Sequence, residues 1–362
     1  MSFYDDASLV VIPSGYKTSK VYAEKPTDGS GDLAFTRTGD TATRVNSAGL
    51  IEKVRTNLIL QSQTFDNASW LKSLVGGASA PVVTANNTTA PDGTLTADKI
   101  VFVAPTSGDI SQLTQNITVT GIANGSVYLK AFAAGDVGKI LAIRFNSGSY
   151  ALATLTADWQ RFSVSQTAIV GTFDIALRPA IGSSSGTVSI FVWGAQLEAG
   201  DIATDYIPTT TAAVSVGPVA NVPRLDYLGS TCPRLLLEGQ RSNLMLQSEN
   251  LSASWSQIRS TATINAAVSP DGYANADKLI ANTDASTTHF VIQTITSPAA
   301  GTYAYSTFFK KSEYNFGCVR ISTNTDVQRF TAVVNLTTGE VTATSSFGSP
   351  TATSTKVDNY GN

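Results

Sequence analysis

Arg55-Thr56-Asn57-Leu58-Ile59-Leu60-Gln61-Ser62, followed by Asn67-Ala68-Ser69-Trp70, decides how this chain is organised, because nearly the same words return downstream. They come back as Arg241-Ser242-Asn243-Leu244-Met245-Leu246-Gln247-Ser248 and then Ala253-Ser254-Trp255. A second echo sets Pro91-Asp92-Gly93-Thr94-Leu95-Thr96-Ala97-Asp98-Lys99-Ile100 against Pro270-Asp271-Gly272-Tyr273-Ala274-Asn275-Ala276-Asp277-Lys278-Leu279. A third sets Ser126-Val127-Tyr128-Leu129-Lys130-Ala131 against Ser306-Thr307-Phe308-Phe309-Lys310-Lys311. The spacing between copies shortens by a few residues from the first echo to the second, as expected where loops lose length and strands do not. The period is far longer than that of solenoid repeats. Each copy is therefore a whole domain.

Within the first copy the sequence predicts strands over 81–85, 97–103, 110–119, 125–133, 139–145, 159–165, 173–179 and 188–197. Apolar residues alternate in several of them, as in Val127, Leu129, Ala131 and in Val188, Ile190, Val192, the period-2 signature of a sheet with one buried face. Short strands divided by Gly, Ser and Asn turns predict an all-β chain of tandem jelly-roll-like β-sandwiches after a small N-terminal β segment. Composition agrees. Only 14% of the 362 residues are charged, against about 25% in ordinary soluble domains, and long amphipathic helices are not evident.

Four segments follow. Residues 1–54 hold a short apolar run, Ser8 to Pro13, expected as one buried strand, and two further strand-like stretches around the turn cluster Pro26-Thr27-Asp28-Gly29-Ser30-Gly31. Residues 55–209 are the first sandwich. Residues 210–240 carry Pro218 and Pro223, which restrict them to edge strands or an extended connector, and their apolar content predicts docking on residues 1–54. Residues 241–362 are the second copy, without counterparts of Trp159-Gln160-Arg161-Phe162 or Trp193-Gly194-Ala195-Gln196-Leu197-Glu198. A sandwich without its last strands exposes core and edges. The expectation is that the sequence continues in a longer protein, or that another subunit supplies those strands.

The net charge of −3 and the lack of a Lys/Arg cluster disfavour nucleic acid as a partner. Met1-Ser2-Phe3-Tyr4-Asp5-Asp6 has neither the basic nor the apolar region of a secretory signal, and no run of about 18 apolar residues suggests membrane insertion. Cys232 and Cys318 fall at non-equivalent places in the copies, which reads as two free thiols. No C-x-x-C pair occurs, His289 is the only histidine, and no metal site or cofactor is expected.

The phrases Phe35-Thr36-Arg37, Ala42-Thr43-Arg44-Val45-Asn46-Ser47-Ala48-Gly49-Leu50-Ile51-Glu52, Pro223-Arg224-Leu225-Asp226-Tyr227 and Leu236-Leu237-Glu238-Gly239-Gln240-Arg241-Ser242-Asn243-Leu244 are distinctive. So are Trp193-Gly194-Ala195-Gln196-Leu197-Glu198 and Thr204-Asp205-Tyr206-Ile207-Pro208-Thr209. Together they resemble modular bacteriophage virion proteins, the tail-fibre and head-fibre components with carbohydrate-binding-module-like jelly rolls. In such proteins the Leu-Ile-Glu phrase runs soon into Pro-Arg-Leu-Asp-Tyr, so here the first sandwich looks inserted into a framework of residues 35–54 and 214–240. The resemblance implies a virion location, attachment to other tail, portal or capsid proteins through residues 1–54, a homo-oligomer such as a trimer, and modules that either bind a host-surface glycan or serve as rigid spacers. The other readings are the front part of a polysaccharide-degrading tailspike and a bacterial surface adhesin, which lacks its export signal here.

Candidate glycan-binding residues are Trp159, Arg161, Tyr128 and Tyr150. An aromatic face covers the C–H face of a pyranose, and Trp159 with Arg161 follows the turn-like Thr156-Ala157-Asp158. Trp70, Trp193 and Trp255 sit in repeat words or an apolar strand and read as core. Asp92 and Asp271 read as turn residues rather than cation ligands, and the N-x-S/T matches at Asn67, Asn87, Asn116, Asn250 and Asn335 as chance. His289 has no nucleophile elbow beside it, and no local pair of carboxylates marks a glycosidase. No catalytic residue is assigned.

Overall fold

The computed structural model describes residues 2–145, 148–239, 241–285, 287–296, 301–323, 325–348 and 357. The chain divides into two compact units, Met1–Ser47 with Glu52–Leu236, and Ala48–Ile51 with Leu237–Asn362. It is all-β apart from short helical turns.

The first unit opens with helix α1 (Phe3–Asp6) and a three-stranded sheet of β1 (Val10–Lys17), β2 (Lys20–Lys25) and β3 (Leu33–Ala34). The run expected as a buried strand is not buried: Leu9 and Ile12 are 49% and 44% exposed. Val21 of β2 is the buried residue of this sheet, and β1 continues through Pro13 because a register shift between Val11 and Tyr16 removes the need for a ladder bond there. Short strands β4 (Thr43–Val45), β5 (Ile51–Lys53) and β6 (Arg55–Asn57) follow.

The sandwich comprises β7 (Leu71–Val75), β8 (Ser79–Thr88), β9 (Ala97–Ala104), β10 (Ile110–Ala131), β11 (Ile140–Phe145), β12 (Tyr150–Thr154), β13 (Gln160–Leu177) and β14 (Gly186–Ala199). They form one sheet, β12-β11-β13-β10-β14-β9-β8, with β7 also on β10. Side chains from nearly all of these strands meet in a single apolar cluster, so the sheet is folded over on itself. Two predicted pairs of strands are each one long strand that passes from leaf to leaf. Residues 110–119 of β10 pair with β7 and with residues 169–177 of β13, which holds β11 and through it β12. Residues 122–131 of β10 pair with the front of β13 and with β14, which leads to β9 and β8. The change of leaf in β10 falls at a register shift between Val119 and Ile122, where Gly121 takes φ +87°. Gly and polar residues there resemble a turn in sequence; the bend keeps its ladder, so it is a bulge.

Phe145 and Phe173 pack with ring centroids 5.7 Å apart and are essentially unexposed. Gly125 sits against them: a Cβ there would stand 2.5 Å from Phe173 Cε2 and 3.0 Å from Phe145 Cζ. Gly125→Ala therefore forces two buried rings off their packing. A loss of about 1–3 kcal/mol in unfolding free energy is expected, read by chemical denaturation, while Gly135→Ala, where nothing lies within 4 Å, should cost much less.

Residues 214–226 bond to Arg37, Val45 and residues 55–57. β15 (Val214–Val216) pairs with β6, and β16 (Leu225–Asp226) pairs with β17 (Arg234–Leu235). The Arg37 guanidinium donates to the carbonyls of Pro218 at 2.7 Å and Val222 at 3.1 Å, and to that of Val219. Asp226 Oδ1 accepts from the Val45 N–H at 2.8 Å. The phrases around Arg37 and Pro223-Arg224-Leu225-Asp226-Tyr227 are thus two halves of one small framework.

In the second unit the repeated words make the same bonds as in the first. Asp98 accepts from the N–H groups of Phe65 and Asn86, and Asp277 from those of Leu251 and Asn265. Trp70 Nε1 donates to the Gln61 carbonyl, and Trp255 Nε1 to that of Gln247. Gln115 bonds both backbone groups of Leu60, and Gln293 both of Leu246. Strands β18 (Ser256–Ile258), β19 (Ser260–Ala267), β20 (Ala276–Ala281) and β21 (Phe290–Ile292) repeat the registers: Thr88↔Ala97 becomes Ala267↔Ala276, and Leu71↔Thr114 becomes Ser256↔Ile292. A three-stranded sheet of β22 (Phe316–Ser322), β23 (Arg329–Asn335) and β24 (Glu340–Phe347) ends the unit. The stretch equivalent to the back of β10 has no strand over 302–311, and Tyr305 and Phe309 are exposed. In the first copy β13 and β14 flank it; among the described residues of the second unit no strand pairs with 302–311.

Candidate functional site

Residues on β10 alternate between the core (Val127, Leu129, Ala131) and the outer face of the second leaf (Ser126, Tyr128, Lys130). The register then places Arg161 of β13 and Trp193 of β14 beside Tyr128 on that face. The Arg161 guanidinium lies 5.3 Å from the Tyr128 ring centroid. Trp193 meets Tyr128 edge-on at 5.4 Å and Tyr206 at 4.5 Å. Trp159 packs half-buried on the same cluster, with Nε1 donating to the Thr89 carbonyl at 3.2 Å.

Three of the four sequence candidates are therefore neighbours, but the Arg161 guanidinium is engaged in holding the segment 200–209 over the leaf while its Nε stays unpartnered. Arg161 donates to the Thr204 carbonyl and, at 2.9 Å, to Ser126 Oγ. Glu198, buried, accepts from the Thr204 N–H at 2.8 Å, and Gln196 Oε1 accepts from the Ile207 N–H at 2.7 Å. Gly194 takes φ +64° with space for a Cβ only 3.2 Å from Tyr128. The Trp-Gly-Ala-Gln-Leu-Glu and Thr-Asp-Tyr-Ile-Pro-Thr phrases form one clasp. Tyr128 and Arg161 are parts of it.

Tyr150 lies elsewhere, on the outer face of the first leaf, 47% exposed. It pairs in register with Arg144, which pairs with Asp174, which pairs with Thr114. The next row is Leu152, Ala142, Ala176 and Gln112. Arg144 Nε donates to Asp174 Oδ2 at 2.7 Å, and the Asp174 side chain is wholly buried. Three buried polar atoms near this pair have no hydrogen-bond partner: Asp174 Oδ1, Gln112 Oε1 and Arg178 Nε. Burial, and then the neighbouring Arg144 charge, push the Arg178 guanidinium below its ordinary pKa, with Asp174 offsetting part of this. Leaving such atoms unpaired costs about 1–3 kcal/mol each. They are two acceptors and one donor, the complement of hydroxyl groups, beside an exposed aromatic ring and Leu152.

Sequence reasoning named Tyr150 and missed Arg144, Asp174, Gln112 and Arg178. The available signal was parity: Arg144 interrupts Leu141, Ile143, Phe145, and Asp174 interrupts Phe173, Ile175, Leu177, so both face away from the core. That they meet depends on the β11–β13 register, which no local pattern gives.

The remaining candidates are structural. Trp70 and Trp193 are buried, Asp92 accepts from the Thr94 N–H in a tight turn, and both cysteines are free and exposed. The ring nitrogens of His289 face the carbonyls of Arg259 and Asp284. Among the described residues no group of three or more His, Cys, Asp or Glu converges, and no helix is long and apolar enough to cross a membrane.

No protein-family model and no curated protein matches the chain. Solved structures do. The family 11 carbohydrate-binding module from Clostridium thermocellum in complex with a β-1,3-1,4-mixed-linked tetrasaccharide is 9% identical, over 42% of this chain and 100% of that one, with a TM-score of 0.29. A family 29 carbohydrate-binding module is 10% identical over 41% and 89%, with a TM-score of 0.27. The enzymatically active domain of tailspike protein 4 from bacteriophage CBA120 is 16% identical, with a TM-score of 0.28; the match covers 40% of this chain and 21% of the tailspike domain. The chain therefore spans about a fifth of that domain.

Tyr206 gives the clasp a spectroscopic and thermodynamic handle. Its hydroxyl is 2.6 Å from Ser62 Oγ, and burial pushes its pKa up to about 12. The folded state keeps a proton that the unfolded state loses near pH 10, so this stabilisation is complete below pH 10 and lost as pH rises towards 12. Tyr206→Phe is expected to flatten the fall in stability between pH 10 and 12, followed by circular dichroism under alkaline denaturation; an unchanged slope would place the hydroxyl in solvent.

Proposed function

We propose that this chain is a non-catalytic structural protein of a phage virion, a tail or head appendage, whose first sandwich holds a neutral host-surface glycan on the outer face of its first leaf. The carrying observation is the set of three unpartnered buried atoms, Asp174 Oδ1, Gln112 Oε1 and Arg178 Nε, beside exposed Tyr150. Sugar hydroxyls both donate and accept, so successive rings of an oligosaccharide crossing from β10 to β12 can pair these atoms, and the Tyr150 ring gives a C–H face an apolar neighbour. The Arg144–Asp174 pair is neutral at the floor while Arg178 beside it adds a positive charge, so the neutral-glycan reading rests on the open hydrogen-bonding atoms and the exposed ring.

The virion assignment rests on the phrase resemblance. In this reading residues 1–54 join the particle, the framework of 35–54 and 214–240 orients the inserted sandwich, and the chain assembles as a homo-oligomer. Mass spectrometry of purified particles tests the location.

Isothermal titration of the whole chain with neutral gluco-oligosaccharides tests the site. Binding is expected, weakened at least tenfold by Tyr150→Ala and by Gln112→Ala, with melting temperatures close to the parent. No binding of any neutral oligosaccharide, or binding indifferent to both substitutions, would contradict the reading.

A further inference from the structure

The outer face of the second leaf carries a second, differently charged surface beyond the clasp. Lys130 of β10 pairs in register with Phe191 of β14, which pairs with Lys99 of β9. Directly opposed residues in antiparallel strands lie on one face with Cβ atoms about 4.5–5.5 Å apart, so two lysines flank one aromatic ring. Phe132 comes directly after β10. Its ring meets Phe191 edge-on at 5.3 Å, and Lys99 Nζ stands 3.6 Å from its centroid. Phe132 is 38% exposed, Val82 on β8 is 62% exposed, and Lys99, Lys130, Phe191 and Val101 are half-buried.

The charge here is one-sided. Neither Lys99 nor Lys130 makes an ion pair among the described residues, in a chain whose net charge is −3. No outward-facing position on β8, β9, β10 or β14 around this row is acidic. Asp136, which follows β10, is already bonded by Lys139 Nζ at 2.8 Å and by the Ser189 N–H at 3.1 Å. Asp158 precedes β13 in an exposed turn. A sheet face on which unopposed ammonium groups border two aromatic rings is built for a partner that brings carboxylates and an apolar ring face together.

We infer that the Lys99–Phe191–Lys130 row binds an acidic polysaccharide whose hexose rings carry carboxylates, a polyuronate. The ring C–H face lies over Phe191 and Phe132, and successive or single carboxylates meet Lys99 and Lys130. Charge complementarity selects this occupant over a neutral glycan, which would leave both ammonium groups without counter-charge, and over an apolar protein surface, which would desolvate them. The inference does not depend on the Tyr150 face: the two surfaces lie on opposite outer faces of the sandwich and differ in charge.

Oligogalacturonates of increasing length, titrated calorimetrically into the whole chain at low and at raised salt, test it. Binding at low salt is expected, weakened severalfold at 0.5 M salt by screening (roughly a Debye length of 4 Å or less). The double substitution Lys99→Gln, Lys130→Gln should lower affinity at least tenfold, and Phe191→Ala should lower it comparably at constant salt dependence. Tyr150→Ala should leave it unchanged, which separates this site from the neutral one. The lysines are half-exposed, so melting temperature verifies that the variants stay folded. Absent binding at low salt, binding indifferent to the lysine pair, or equal affinity for polyglutamate, which has carboxylates and no sugar ring, would overturn the proposal.

Discussion

The wholly buried carboxamide of Asn57 joins parts of the chain that lie far apart in sequence. Its Oδ1 accepts from the N–H groups of Ile59 and Leu197, each at 3.0 Å, and its Nδ2 donates to the carbonyls of Ala195 at 3.1 Å and Ile207 at 2.8 Å. One side chain thereby fixes the entry to the sandwich, its last strand and the segment leaving it. Most buried side-chain amides are hydrogen-bonded, and here all four capacities are met. Closure of the sandwich, the clasp over the second leaf and the return of residues 210–240 to the framework all follow from that junction.

The same logic explains why the copies share words rather than overall similarity. Asp98, Gln115, Asn57 and Trp70 each bond backbone from another segment, so their identity is fixed by geometry that few side chains reproduce. Core positions between them need only apolar volume and drift freely. In the second copy Asn243 bonds the Met245 N–H as Asn57 does that of Ile59. Asp277 and Gln293 complete their bonds as their counterparts do, while the stretch equivalent to the back of β10 carries no strand.

The repeat, the β class and most strand positions were legible because period-2 alternation and duplicated words are local signals. The unity of β10 and β13 was not: Gly121 and its neighbours look like a turn, and only the partner strand decides that the ladder continues through a bulge. The sites divided in the same way. Trp159, Tyr128 and Arg161 were found by residue type, and the fold set Tyr128 and Arg161 to work in a clasp. Arg144, Asp174, Gln112 and Arg178 come from three separate strands or strand ends, and their meeting is a property of register. The Lys99–Phe191–Lys130 row is likewise invisible until β9, β14 and β10 are placed side by side.

The outer face of the first leaf is where three buried polar atoms lie open together, Asn124 Oδ1 and Arg161 Nε being open on the second leaf. A high-resolution crystal structure of the chain grown with a saturating neutral oligosaccharide tests this most directly. The account predicts pyranose hydroxyls within hydrogen-bond distance of Gln112 Oε1, Asp174 Oδ1 and Arg178 Nε, with the sugar ring against Tyr150. A face whose three atoms are satisfied by ordered water with no sugar present, or a sugar bound at Trp159 instead, would contradict it.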